Sequence, residues 1–185
     1  MECKLTVYHA CRYVPDLESI RSEVPFISKA EGQWLTQGYY FWTDTPTHAK
    51  TWRCGSGNKN IISEFTLTFK KENLLLDLVG NVKHQELFDG YIELLEGKGV
   101  FQGVGEKITI SQVIFYLRKQ EHEDIFPFIA IKAGDKHKSP YIFHESSKYR
   151  ERCCFITRQQ LCLFDKKHCD IELNLINIYS NEIPS

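Results

Sequence analysis

The chain has 185 residues, 42% of them hydrophobic and 13% aromatic, which is enough apolar material to fill one compact domain spanning 1–185. Its 23 Lys and Arg against 24 Asp and Glu leave a formal net charge of -1, which argues against a protein that coats nucleic acid through bulk charge. Met1 to His9 carries charge and no long apolar run, and no window reaches the roughly 18 apolar residues of a membrane span, so a soluble cytoplasmic protein with no membrane partner is expected.

Lys4 to His9 alternates and is rich in Val, Thr and Tyr, which predicts a first strand ending at His9. Val14 to Ala30 follows as a short helix or an irregular crossover, with Pro15 and Asp16 suited to a helix start. Gly32 to Thr43 reads as a strand. Pro46 marks a helix entrance with Thr45 as cap, Thr47 to Trp52 forming the first turns and Cys54 and Gly55 the end. Gly55 to Asn60 is a loop by composition, and Ile61 to Lys70 alternates cleanly as a strand. Leu74 to Leu78 is a short strand or an apolar turn. Val82 to Glu96 has apolar residues at helical intervals, with Gly97 as its stop.

Gly99 to Gly105 is punctuated by glycines but lacks G-x-x-x-x-G-K and follows no strand of a βαβ unit, so it is not a phosphate-binding loop. Thr109 to Glu121 predicts a helix with Ser111 as its cap, and Phe126 to Ala133 a strand. Gly134 to Pro140 is an exposed polar loop. Tyr141 to Glu145 and Arg152 to Thr157 are further strands, Gln159 to Leu163 a turn or short helix, and Asp170 to Tyr179 the last strand. The sum, about seven strands and three helices without regular βα alternation, predicts an α+β fold with mostly antiparallel pairing.

Seven cysteines, at Cys3, Cys11, Cys54, Cys153, Cys154, Cys162 and Cys169, include no C-x-x-C pair, and the histidines show no ligand spacing, so neither a metal nor a disulfide framework is expected. No serine stands in a G-x-S-x-G elbow. The densest stretch is Thr36 to Trp52, T-Q-G-Y-Y-F-W-T-D-T-P-T-H-A-K-T-W, with four consecutive aromatics inside seventeen residues. Strand propensity explains Tyr39 to Thr43 as a buried strand, yet the aromatic density exceeds what a core strand requires.

Three pieces stand in one order: T-V-Y-H-A-C-R near the start, G-Y-Y-F-W-T-D-T-P-T-H-A-K-T-W in the first third, and E-R-C-C-F near the end. Together they resemble the diphtheria-toxin-like ADP-ribosyltransferases, which include the poly(ADP-ribose) polymerases and small bacterial toxins of antitoxin and phage-defence systems. That family carries a histidine, a tyrosine and a glutamate on three strands. Its first motif, W-H-G-S/T-R, falls on Tyr8 to Arg12, its second, G-I/F-Y-F, on Gly38 to Phe41, and its third, E-Y/F-x-V/I, on Glu151 to Cys154. Ala10 departs from the glycine of the first motif and Arg152 from the aromatic of the third.

The resemblance implies a split β-sandwich of mostly antiparallel strands with a few helices, and NAD as substrate without a metal. It implies that His9 binds the adenosine ribose, that Ala10 offers its backbone to the nicotinamide amide, that Tyr40 and Trp52 cover the nicotinamide faces, and that Thr47 meets the carboxamide. Arg12 would pair with the diphosphate. Glu151 would be the catalytic carboxylate, facing the oxocarbenium-like centre formed as the nicotinamide bond breaks. Tyr149 occupies the place of the second acid found in arginine-modifying members, which disfavours an arginine acceptor. Lys132, Lys136, Lys138, Lys148, Arg150 and Arg152, interleaved with Tyr141, Phe143 and Tyr149, place RNA or DNA slightly ahead of protein as acceptor. The implied activity is an intracellular mono-ADP-ribosyltransferase acting as a toxin or phage-defence effector, with a cognate antitoxin as a partner. The alternatives are a protein-modifying transferase and an inactive module that binds NAD or a partner.

Overall fold

The computed structural model describes residues 2–52, 59–101, 108–119, 125–134, 141–142, 152–153 and 158–180. The fold is α+β. In chain order it runs β1 (Cys3–Arg12), α1 (Leu17–Glu23), β2 (Ile27–Ser28), β3 (Gly38–Thr43), α2 (Thr47–Thr51), β4 (Lys59–Phe69), a single 3-10 turn, β5 (Leu75–Asp77), α3 (Val82–Gly97), α4 (Ile110–Lys119), β6 (Ala130–Gly134), β7 (Tyr141–Ile142), β8 (Arg152–Cys153), β9 (Gln159–Leu163) and β10 (Cys169–Ser180). Eight strands form one mixed sheet in the order β10-β4-β1-β3-β9-β6-β5, with β2 added to β3; β7 and β8 pair separately. Every pair in the large sheet is antiparallel except β5 with β6.

Local chemistry explains the helix starts. Asp16 accepts the N–H groups of Glu18 and Ser19 at 3.1 Å each, satisfying two of the donors that open α1. At α4, Thr109 accepts the N–H of Gln112 at 3.2 Å while the Gln112 side chain accepts the N–H of Thr109 at 2.9 Å. This reciprocal box makes Thr109 the capping residue, two residues earlier than the expected Ser111. At α2 the cap position is Pro46, which makes no side-chain bond, and Thr45 accepts the N–H of Thr47 at 3.2 Å.

Alternation along the strands sends side chains to two faces. Val7, Phe41, Phe65, Leu67, Leu161 and Leu163 face one side and close over a dry core. On the other side α3 and α4 lay Phe88, Tyr91, Val113, Ile114 and Leu117 over Leu76, Ile131 and Cys162. Cys162 is fully buried, and burial pushes its thiol up to about 12. It also sets the identity of residue 38, because a Cβ on Gly38 would lie 2.6 Å from the Cys162 sulfur and 2.7 Å from the Leu163 carbonyl oxygen.

Two expectations need correction. Gln159–Leu163 is neither turn nor helix but the central strand β9, held between β3 and β6. Both of its faces are covered, so four of its five residues are buried and no polar face marks it as a strand. The aromatic strand begins at Gly38 rather than Gly32, after turns in which Thr36 takes φ +71°. Of the strand expected over Arg152 to Thr157, Arg152 and Cys153 form β8, paired with β7, and the rest lies outside the described residues. Among the described residues no helix is long and apolar enough to cross a membrane.

Candidate active site

β1 and β3 pair at only two positions, Val7 with Thr43 and Tyr8 with Trp42. Beyond Tyr8, β1 stays with β4 as far as Arg12 opposite Asn60, while the edge of β3 it leaves is taken by β2, through Ile27 with Tyr39 and Ser28 with Gly38. The imidazole of His9 fills the gap between the departing and the arriving strand. Its Nδ1–H donates to the Tyr40 carbonyl at 2.9 Å, and its Nε2 accepts the Phe26 N–H at 3.3 Å. Those two bonds require a neutral ring with its proton on Nδ1. His9 is only 7% exposed, and burial lowers its pKa, which favours the same neutral form.

A cleft of about 730 Å3 opens over this split. His9, Ala10, Tyr40 and Trp52, four residues singled out from the sequence, line it together. Tyr40 is held by its hydroxyl, which donates to the Thr36 carbonyl at 2.7 Å and accepts the Leu35 N–H at 3.1 Å. Burial raises the pKa of that hydroxyl, so it stays protonated and fixed as a donor. Trp52 stands at the mouth, 44% exposed, its ring centroid 5.5 Å from that of Trp42. The backbone carbonyl of Trp52 is anchored by the side-chain amide of Asn60.

Two expected residues lie elsewhere. Arg12 is exposed at the end of β1, and Thr47 is exposed at the start of α2 beside Thr45; neither lines the cleft. Glu151 lies outside the described residues, as do Lys136, Lys138, Phe143, Lys148, Tyr149 and Arg150. Lys132, counted among the cations near Glu151, is largely buried and sits 3.8 Å from the Asp44 carboxylate. An ion-paired lysine does not add to a free cationic surface.

The cleft also contains groups that the sequence pattern does not single out. Trp42, Trp34 and Phe26 extend its aromatic lining, Arg158 stacks over Trp42 at 5.5 Å, and Gln160 forms part of the wall. Trp42 was legible as the residue two along from Tyr40 on one strand, hence on the same face. Gln160 was hidden by the misreading of β9. No carboxylate lines the cleft among the described residues, and no three His, Cys, Asp or Glu side chains group there as a metal site requires. Among the described residues the resulting chemistry is that of a planar-ligand slot: aromatic faces, the Arg158 cation, the neutral amides of Gln33 and Gln160, and a neutral imidazole.

No family model, curated protein or solved structure matches the chain.

Proposed function

We propose that the protein is an ADP-ribosyltransferase of the diphtheria-toxin-like kind, which cleaves NAD and transfers ADP-ribose to a macromolecule as a toxin or phage-defence effector inside the cell. The observation that carries this reading is the parting of β1 from β3 beside Tyr8 and Trp42, over a cleft that gathers His9, Ala10, Tyr40 and Trp52 from separate motifs. The resemblance implies a split β-sandwich of mostly antiparallel strands, the large sheet is mostly antiparallel, and a cleft of about 730 Å3 lies within the roughly 300–1,000 Å3 of small-molecule sites.

In this reading the nicotinamide ring lies between Tyr40 and Trp52, where aromatic faces favour its cationic pyridinium by about 1 kcal/mol or more when desolvated. Arg158, rather than Arg12, supplies the positive charge within the cleft. The bond from ribose C1′ to the pyridinium nitrogen breaks, its electron pair leaving with neutral nicotinamide. The acceptor's lone pair then bonds C1′, and the acceptor loses its proton. A carboxylate beside C1′ lowers the barrier electrostatically, the role proposed for Glu151. RNA or DNA is the favoured acceptor, and a cognate antitoxin the favoured protein partner.

Labelled NAD incubated with separate RNA, DNA and protein pools tests this reading. Wild-type protein is expected to label one pool, and Glu151→Ala to lower transfer by about 100-fold or more. Turnover that survives Glu151→Ala removes the acid assignment, and absence of both transfer and NAD binding removes the reading itself. A second reading, a module that binds NAD without chemistry, is favoured by the engagement of both His9 nitrogens within the chain. NAD binding without transfer to any pool is its expected result.

A further inference from the structure

Gln160 stands on β9 directly opposite Trp42 of β3, and Ala133 of β6 is its partner on the other side. Cross-strand partners share a face, so Gln160 belongs to the row that runs from Tyr8 through Trp42 along the cleft side of the sheet. Only 6% of Gln160 is exposed, yet it forms part of the cleft wall.

Its orientation is decided by chemistry. The indole nitrogen of Trp34 lies 2.7 Å from Gln160 Oε1, and an indole N–H is a donor only, so the oxygen must be the end that faces Trp34. The amide nitrogen therefore points away from Trp34, and among the described residues it has no hydrogen-bond partner. A largely buried amide whose oriented N–H groups meet no partner among the described residues is suited to meet an oxygen acceptor.

We propose that Gln160 is the polar anchor of the cleft, donating its amide hydrogens to an oxygen of the bound ligand while Trp34 holds the amide in place. The assignment rests on the NAD reading and deepens it. The oxygen is either the carboxamide oxygen of nicotinamide or an oxygen of the ADP-ribose half. Gln160 is a ligand-binding residue that supplies direction and no charge, which separates its role from that of a catalytic carboxylate.

Isothermal titration calorimetry of the full chain with NAD, nicotinamide and ADP-ribose separates the outcomes. Gln160→Ala is expected to weaken NAD by about tenfold, the worth of one neutral hydrogen bond, and Trp34→Phe by several-fold through loss of orientation. The fragment whose affinity falls in Gln160→Ala carries the recognised oxygen. Gln160→Glu supplies a signature that a structural role lacks: burial at this position raises a carboxyl group above its ordinary range, so the acid form, which can donate, gains population at pH 5, whereas the carboxylate at pH 8 cannot donate. NAD is expected to bind that variant better at pH 5, relative to wild type measured at each pH. Normal wild-type binding with an unaltered Gln160→Ala, or a Gln160→Glu variant that tracks wild type at both pH values, overturns the assignment alone. Failure of the wild type to bind NAD removes the NAD reading and this assignment with it. Should Gln160→Ala not fold, as judged by circular dichroism, the pH pair on Gln160→Glu decides.

Discussion

Neighbouring residues on β3 both border the cleft but send their side chains to opposite faces of the sheet. Phe41 is 1% exposed and packs edge-on against Phe65 with centroids 5.8 Å apart, one of several large side chains that exclude water from one side of the sheet. Tyr40, one residue earlier, lines a cleft and is held by two hydrogen bonds to the turn at Leu35 and Thr36. The dry side is fixed by contact area and needs no directional bond. On the other side Tyr40 packs against the α3 and α4 core and adds hydrogen bonds, because the part of the wall that must leave space for a ligand cannot be held by filling that space. The same contrast appears on β9, where Leu161 joins the apolar core and Gln160 is oriented by the Trp34 indole.

The largest effect is expected from breaking the dry side. Phe41→Ala removes a nearly fully buried ring and is expected to cost about 3–5 kcal/mol, read as a lower denaturant midpoint. A loss under about 1 kcal/mol would show that the core collapses around the site and is not tightly packed. The corresponding change on the cleft side, Tyr40→Phe, keeps the ring and deletes the hydroxyl, leaving the Leu35 N–H without its partner. Its expected cost is about 1–3 kcal/mol. Equal losses for the two variants would erase the distinction between area-held and bond-held faces.

The smallest effect concerns His9, which joins the two regions across the split. Its folded pKa lies below the ordinary value of 6.5, because burial disfavours the charged ring. Below about pH 6.5 the unfolded chain therefore binds a proton that the folded chain refuses. Stability rises with pH through that window and declines as pH falls below 6.5. Urea unfolding of wild type and His9→Gln between pH 8 and 5 isolates the contribution, since the variant lacks the titrating ring. The gap between the two proteins is expected to narrow on acidification. Parallel pH profiles would mean that the imidazole titrates alike in both states.

The legibility of the fold followed exposure. β4 alternates in sequence and is the strand expected, and α3 showed its apolar stripe, although it runs through Gly97 and ends at Lys98 and Gly99, which takes φ +66°. β9 did not, because a strand covered on both faces loses the polar alternation that marks a half-buried one. The site divided in the same way. His9 and Tyr40 were readable as members of a motif, but the commitment of both imidazole nitrogens depends on Tyr40, 31 residues away, and on the backbone of Phe26. Arg12 and Thr47 stand at matched positions of the family's motifs, yet neither lines the cleft. In a strand the side chain next to an inward one points outward, and α2 turns Thr47 to solvent.

By itself the sequence determined the α+β class, the mostly antiparallel pairing, the aromatic strand and the segments that carry His9, Tyr40 and Trp52. These follow from period, propensity and composition, all of which are local. Only the tertiary structure decided that β1 leaves β3 after Tyr8, that β2 takes its place, and that Trp34 and Gln160, 126 residues apart, meet on the cleft wall. Strand order and register are set by which faces bury one another across the whole chain, and no window of neighbouring residues contains that information.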